Sequence, residues 1–314
     1  MSLARALQLA AEADGRGYPK PTVGAVVVRD GEVVGEGATE AGGRHGEAVA
    51  LAVAGERARG ATLFATMEPC AHWGTQPPCT ELIVAAGVAR VVAGSRDPNP
   101  EAAGGLERLE AADVEVELLD SFEARAQNEA WRTWVSRGRP FVTYKVAATL
   151  DGRVAVPGER WVTGEPARRV VHELRAASDA VAVGMGTVHA DRPRLDARDV
   201  PTLRGQPRRL AFGNGPLPDG SELELRDGPL RDELAALAAE GVQSLLLEGG
   251  PTLAAAFLED DLVDKLLVFV APTLAGGSGP GILAASLASP RRLSRLSARA
   301  VGDDVLLQAY VHEL

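Results

Sequence analysis

The chain has 314 residues, 46% of them hydrophobic, and a formal net charge of −10. That length is enough for two domains with cores of their own, and no apolar run is long enough to span a bilayer. Acidic side chains outnumber basic ones 20 to 13 in residues 1–137 and 23 to 20 in the remainder, which excludes the basic footprint of a nucleic-acid binder and points to a small-molecule substrate.

Strand and helix signals alternate, the pattern of an α/β fold. Leu3, Ala6, Leu7 and Ala10 recur at helical spacing, and residues 23–28 read as a buried strand turned at Asp30-Gly31 into a second one around Val33-Val34. Residues 45–57 have helical periodicity, and a strand at 61–66 follows. The loop at 68–78 ends in prolines that mark a helix start, with Cys79 at or next to it. Beyond it come a strand at 91–93, a helix through Leu106 and Leu109, a strand at 114–119 and one Ala- and Trp-containing helix reaching Arg137. Arg137-Gly138-Arg139-Pro140 marks the expected boundary between domains at 1–137 and 138–314. In the second part, a helix reaches Leu174-Arg175-Ala176 and a strand covers 179–184. After 208–212 the chain runs through Gly213-Asn214-Gly215-Pro216 almost directly to a helix at 230–239. The apolar strands at 266–270 and 305–311 are candidates for pairing between subunits.

Both cysteines, Cys70 and Cys79, belong to one constellation with His45 upstream. One nitrogen and two sulfur ligands suit tetrahedral Zn²⁺ and leave its fourth position open for water, as catalytic rather than structural zinc requires. Glu47, two residues past His45, is placed to carry protons between that water and a leaving group. Zinc deaminases divide the work this way in H-x-E and P-C-x-x-C motifs; here eight residues separate the cysteines instead of two. A disulfide is the competing reading. No charged start with an apolar segment stands at the N-terminus, so the expected location is the reducing cytoplasm, where disulfides are rare. His72, His172, His189 and His312 lack such partners and read as structural. Gly249-Gly250, between a strand and a helix, lets backbone approach a diphosphate bound by helix N-terminal amides, although alone the pair reads as a tight turn.

Residues 19–26 (PKPTVGAV), His45-Gly46-Glu47, residues 68–74 (EPCAHWG), Pro77-Pro78-Cys79 and Asp97-Pro98-Asn99-Pro100 together resemble the deaminase domain of the RibD family of bifunctional riboflavin biosynthesis enzymes. Residues 139–153, Trp161-Val162-Thr163-Gly164, residues 184–195 and residues 245–253 resemble that family's reductase domain. The resemblance covers nearly the whole chain. It implies an N-terminal cytidine-deaminase-like three-layer α/β/α domain followed by a dihydrofolate-reductase-like α/β domain. The implied reactions are zinc-dependent hydrolytic deamination of 2,5-diamino-6-(5-phosphoribosylamino)pyrimidin-4(3H)-one, then NADPH-dependent reduction of its ribosyl group to ribityl. By resemblance His45, Cys70 and Cys79 hold zinc and Glu47 is catalytic. NADPH contacts Ala147, Trp161, Thr187, Asp191, Gly249, Gly250, Pro251 and Thr252, while the phosphoribosyl substrate meets Arg175, Leu195, Arg198 and Glu248. A homodimer through the reductase domain is implied as well.

The chain departs from the family pattern at Lys20, where Asn is usual, at Ala71, where a small polar residue is usual, and at Thr75-Gln76, where Arg-Thr is usual. Glu159 stands in place of a serine and Arg192 in place of an Asp, and the reductase part is shortened between about 199 and 247, trimming the unit that completes the cofactor cleft. Competing readings are a deaminase whose C-terminal domain only binds ligand or stabilises an oligomer, a nucleoside or nucleotide deaminase, and a non-enzymatic sensor. Glu47 beside three ligand residues serves no packing purpose and weighs against the last.

Overall fold

The structure is a computed structural model that describes residues 2–74, 76–277, 279–284 and 287–314, so Thr75 lies outside the described residues. The chain divides into two compact units, residues 1–137 together with Leu314, and residues 138–313. Among the described residues no helix is long and apolar enough to cross a membrane.

The first unit runs α1 (Ser2–Glu12), β1 (Gly24–Arg29), β2 (Glu32–Ala38), α2 (Gly46–Ala54), a 3₁₀ turn (Gly55–Ala58), β3 (Thr62–Ala65), α3 (Cys79–Ala85), β4 (Arg90–Ala93), α4 (Gly105–Glu110), β5 (Glu115–Leu118), α5 (Phe122–Gln127) and α6 (Glu129–Arg137). Its sheet has the order β2-β1-β3-β4-β5, with β1 antiparallel to both neighbours and β3, β4 and β5 parallel. Alternation along β1 assigns its two faces. Ala25 and Val27 join Ala50, Leu51 and Ala54 of α2, Ile83 of α3 and Leu106 and Leu109 of α4 in one core. On the other face α1 rests directly on Gly24, where a Cβ would stand 1.9 Å from Ala6 O. The single helix expected before Arg137 is two, because the carboxamide of Asn128 between them is bonded to Thr22, donating to its O and accepting from its N, both at 2.9 Å.

The second unit runs β6 (Phe141–Thr149), α7 (Glu165–Ala177), β7 (Ala180–Gly184), α8 (Met185–Asp191), β8 (Arg208–Phe212), β9 (Glu224–Arg226), α9 (Leu230–Ala239), β10 (Ser244–Glu248), α10 (Pro251–Glu259), β11 (Lys265–Ala271), β12 (Ser294–Val301) and β13 (Asp304–Tyr310). Its sheet has the order β12-β13-β11-β6-β10-β7-β8-β9, parallel from β11 to β9 and antiparallel through β12, β13 and β11. Such a sheet, covered on both faces, explains the unbroken apolar runs of β7 and β10.

Two expectations are corrected. The stretch after Phe212 does not run straight to α9: it holds β9, three residues paired with β8, too short and too charged to show periodicity. The strands expected to pair between subunits pair with each other, since β11 lies between β6 and β13, and β13 between β11 and β12. No backbone edge of either is left for a second chain.

The start of β6 is pinned by a buried ion pair. Arg139 donates from both terminal nitrogens to Asp264 at 2.6 and 2.8 Å, and Asp264 also accepts from Val142 N at 2.8 Å. Removing one partner of such a pair leaves an uncompensated buried charge. Asp264→Ala therefore lowers the unfolding free energy of the second unit by about 3–5 kcal/mol, measured by guanidinium denaturation followed through a probe in that unit.

Candidate metal centre and reductase cleft

His45 is the extended residue immediately before α2, Cys79 is the first residue of α3, and Cys70 lies in the loop between β3 and α3. His45 Nδ1 is 3.3 Å from Cys79 Sγ and 3.5 Å from Cys70 Sγ. All three ligand atoms lie within 4.8 Å of one another. Zn–N and Zn–S bonds of about 2.05 and 2.3 Å at the tetrahedral angle hold N and S about 3.5 Å apart, so the spacing suits zinc. The start of α3 orients the loop ligand: Cys79 N donates to Cys70 Sγ at 3.4 Å and Thr80 Oγ1 to Cys70 O at 3.3 Å.

The donor set is chemically prepared for a metal. The hydrogen bond from Cys79, with a further one from His45, holds the Cys70 thiol down to about 4, whereas Cys79, beside that thiolate and buried, keeps its proton far above the usual thiol range. Metal binding displaces the remaining proton. Glu47 is buried, and its Oε2 has no hydrogen-bond partner among the described residues. With zinc held by the three ligands, this orphaned carboxylate oxygen would be the partner of a proton-exchanging water. Burial pushes Glu47 up to about 7 against the opposing pull of His45.

Two further acids, present in the sequence only as motif letters, hold this centre. Glu68 is buried; its Oε1 accepts from Gly104 N and Leu106 N at 3.2 and 3.1 Å and its Oε2 from Asp97 N at 3.2 Å, which ties the Cys70 loop to the start of α4. Asp97 in turn accepts from Asn99 N at 2.8 Å, and burial pushes it from 3.8 up to about 6.

In the second unit β6, α7 and the starts of α8 and α10 border a cleft of about 900 Å³. Its wall holds Ala147, Trp161, Thr187, Asp191, Gly249, Gly250, Pro251 and Thr252, the expected cofactor residues, and Arg175, Arg198 and Glu248 of the expected substrate residues. The side chain of Leu195, the remaining expected substrate residue, is buried with Val181, Met185, Val188 and Leu223. Gly249 and Gly250 have φ of 80° and 68°, and a Cβ on Gly250 would meet Thr187 Oγ1 at 3.4 Å. The pair is a cradle that side chains would fill, so a nucleotide diphosphate fits there. Lys145, Arg160, Arg168, Arg175 and Arg198 against Asp191 and Glu248 make the wall positive within an acidic chain, which suits phosphorylated ligands.

Arg175 lines this cleft with its paired face engaged within the protein: Nε and Nη2 donate to Glu248 at 2.5 and 3.0 Å, and Nη1 to Asp196 O at 3.1 Å. Burial alone would raise Glu248, but Arg175 and the Lys145 ammonium, 3.9 Å away, hold it below the ordinary carboxylate range. Burial lowers Lys145 in turn. Sequence reasoning missed Lys145, although a lone cation within the apolar run of β6 was the available signal. His172, read as a structural histidine and not a metal ligand, lines the cleft, where its Nδ1 donates to Asp196 O at 3.2 Å.

Asp97 generates a prediction about pH. A carboxyl whose folded pKa stands above its unfolded value contributes stability in full below the unfolded pKa, and that contribution is lost as pH rises through the folded one. Here the window runs from about 4 to about 6. Asp97→Asn therefore raises the unfolding temperature of the zinc-loaded protein at pH 7 to 8, and calorimetry shows the gap to the parent protein closing as pH falls toward 4.

Residues 1–95 match the family described as the cytidine and deoxycytidylate deaminase zinc-binding region, and residues 140–218 and 223–307 match the RibD C-terminal domain. The riboflavin biosynthesis protein RibD of Escherichia coli is 38% identical with 97% of each chain covered, and that of Mycobacterium tuberculosis is 39% identical with 96% of this chain and 94% of the relative covered. Among solved structures, Acinetobacter baumannii RibD superposes with a TM-score of 0.85 at 34% identity. A diaminohydroxyphosphoribosylaminopyrimidine deaminase/5-amino-6-(5-phosphoribosylamino)uracil reductase of Thermotoga maritima does so with 0.82 at 32% identity. Both superpositions cover 98% of this chain and 97% of the other. With a zinc deaminase part and a reductase part that uses NADPH, both present at matching positions, this chain belongs to the RibD family of riboflavin biosynthesis enzymes.

Proposed function

We propose that the first unit hydrolyses the 2-amino group from 2,5-diamino-6-(5-phosphoribosylamino)pyrimidin-4(3H)-one and that the second reduces the ribosyl group of the product to ribityl. The observation that carries the first step is the unpartnered Glu47 Oε2, buried beside the His45, Cys70 and Cys79 ligand set. When bound there, zinc supplies the Lewis acidity that makes water a nucleophile near neutral pH. Glu47 takes the proton of the attacking water and delivers it to the departing amine, and a pKa near 7 suits it to both transfers.

For the second step, Gly249 to Thr252, Thr187, Trp161, Ala147 and Asp191, which line the cleft, would hold NADPH, and the cofactor would supply the hydride that the anomeric carbon takes up. Lys145, buried against Glu248, gives the ribose ring oxygen the proton it needs as its bond to the anomeric carbon opens. Burial makes that ammonium a stronger acid, and the carboxylate fixed by Arg175 keeps it charged until used. Arg198 and Glu248 face the phosphoribosyl group. The reading includes a cytoplasmic enzyme, supported by two cysteines that are free thiols. It also includes a homodimer through the second unit, supported by the edge strand β12 with its exposed Leu296.

Mass spectrometry of the products formed from the phosphoribosylated diaminopyrimidinone with NADPH tests the substrate: a deaminated ribityl compound supports the reading, and unchanged substrate overturns it. Glu47→Gln abolishes ammonia release while metal analysis still finds one zinc per chain; retained turnover removes Glu47 from the mechanism. Lys145→Met leaves ammonia release intact and slows ribityl formation about 100-fold or more, with NADPH affinity in a fluorescence titration unchanged.

A further inference from the structure

Three loops of the first unit meet beside the zinc ligands: residues 19–22 before β1, residues 39–45 before α2 and, before α3, residues 71–74 and 76–78. Gln76 Nε2 of the third loop donates to Gly43 O of the second at 2.6 Å. Lys20 of the first reaches the same point, since a Cβ built on Gly43 would stand 3.5 Å from its Nζ. Gly43 is two residues from the ligand His45.

Neighbouring cations are committed. Arg44 pairs with Glu40 at 3.7 Å, and Arg108 donates to Ala71 O at 3.1 Å and Glu81 at 2.9 Å. The Lys20 ammonium is exposed and forms no hydrogen bond or ion pair among the described residues. An uncommitted point charge thus stands at the rim of the metal centre, on a unit with 13 basic and 20 acidic side chains that otherwise repels a dianion. A lysine binds phosphate as such a point charge, with three rotatable donors.

We propose that Lys20 is a specificity-determining residue of the deaminase site, where its ammonium binds the substrate's phosphate and makes the site select phosphorylated over dephosphorylated pyrimidines. The inference rests on the phosphoribosyl substrate of the preceding section, and the test separates the two. Ammonia release by the zinc-loaded full chain is measured on the phosphoribosyl substrate and on its dephosphorylated ribosyl counterpart, for the parent protein, Lys20→Met and Lys20→Arg.

The expected result for Lys20→Met is a KM for the phosphorylated substrate raised about 10-fold or more, with kcat and zinc content close to the parent's and the dephosphorylated substrate unaffected. Lys20→Arg, which keeps the charge, recovers most of the affinity. Inorganic phosphate, as a competitive inhibitor, weakens in parallel in Lys20→Met. An unchanged KM, or one that rises equally for both substrates, overturns the role of Lys20. A parent protein that deaminates both substrates with equal KM does the same, whereas one that deaminates neither overturns the substrate reading instead.

Discussion

The first unit is organised by a distance requirement: a ring nitrogen and two sulfurs, from three places in the chain, must meet within the bond lengths of one metal ion. His45 and Cys79 satisfy it by standing at the starts of α2 and α3, whose directions the sheet sets. Cys70 satisfies it from a loop, and a loop must be tied. Glu68 does this with three backbone amides, and Pro69 O packs so closely on α4 that a Cβ on Gly105 would stand 1.7 Å from it. The residues around the ligands are therefore as constrained as the ligands themselves, because a small shift of the Cys70 loop breaks the tetrahedral set.

The second unit depends on a different interaction, a buried carboxylate between two cations. Glu248 at the end of β10 is held on one side by Arg175 of α7 and faces Lys145 of β6 on the other. Strand pairing sets this arrangement, since Glu248 and Lys145 are partners in the register of β10 and β6. Glu248 thus holds charge inside the cleft at a fixed place, and the cleft does not have to organise itself around the ligand.

Much of this was legible in the sequence. The metal ligands and Glu47 were readable because their chemistry needs those residue types near helix starts, and prolines at 77 and 78 announce the start of α3. Most strands were readable because a sheet covered on both faces demands apolar runs. What was hidden shares a physical cause. β9 and β12 are edge strands with few buried positions, so neither carries an apolar pattern. The break between α5 and α6 depends on Asn128 meeting Thr22, 106 residues away, and no local signal encodes it. That Glu248 engages the paired face of Arg175 is likewise not written in the sequence, because the two are 73 residues apart. Lys20 stood out as a departure from a family pattern, but only the fold puts it beside Gly43.

The deaminase unit also bears a stability cost that follows from its chemistry. Glu47 is buried with an unpartnered oxygen, and a buried polar group without its partner costs about 1–3 kcal/mol, while Asp97, though it accepts from Asn99 N, carries the cost of burial in its raised pKa. Such groups persist where catalysis needs them and where the surrounding core offsets the loss. Here Ala25, Val27, Leu63, Val91 and Leu109, each fully or almost fully buried, supply that core. Binding of a metal that only the folded state can assemble adds to it by mass action. Folding and metal binding are then one equilibrium in this unit: the ligand geometry that makes the site reactive is also part of what holds α2, α3 and the Cys70 loop together.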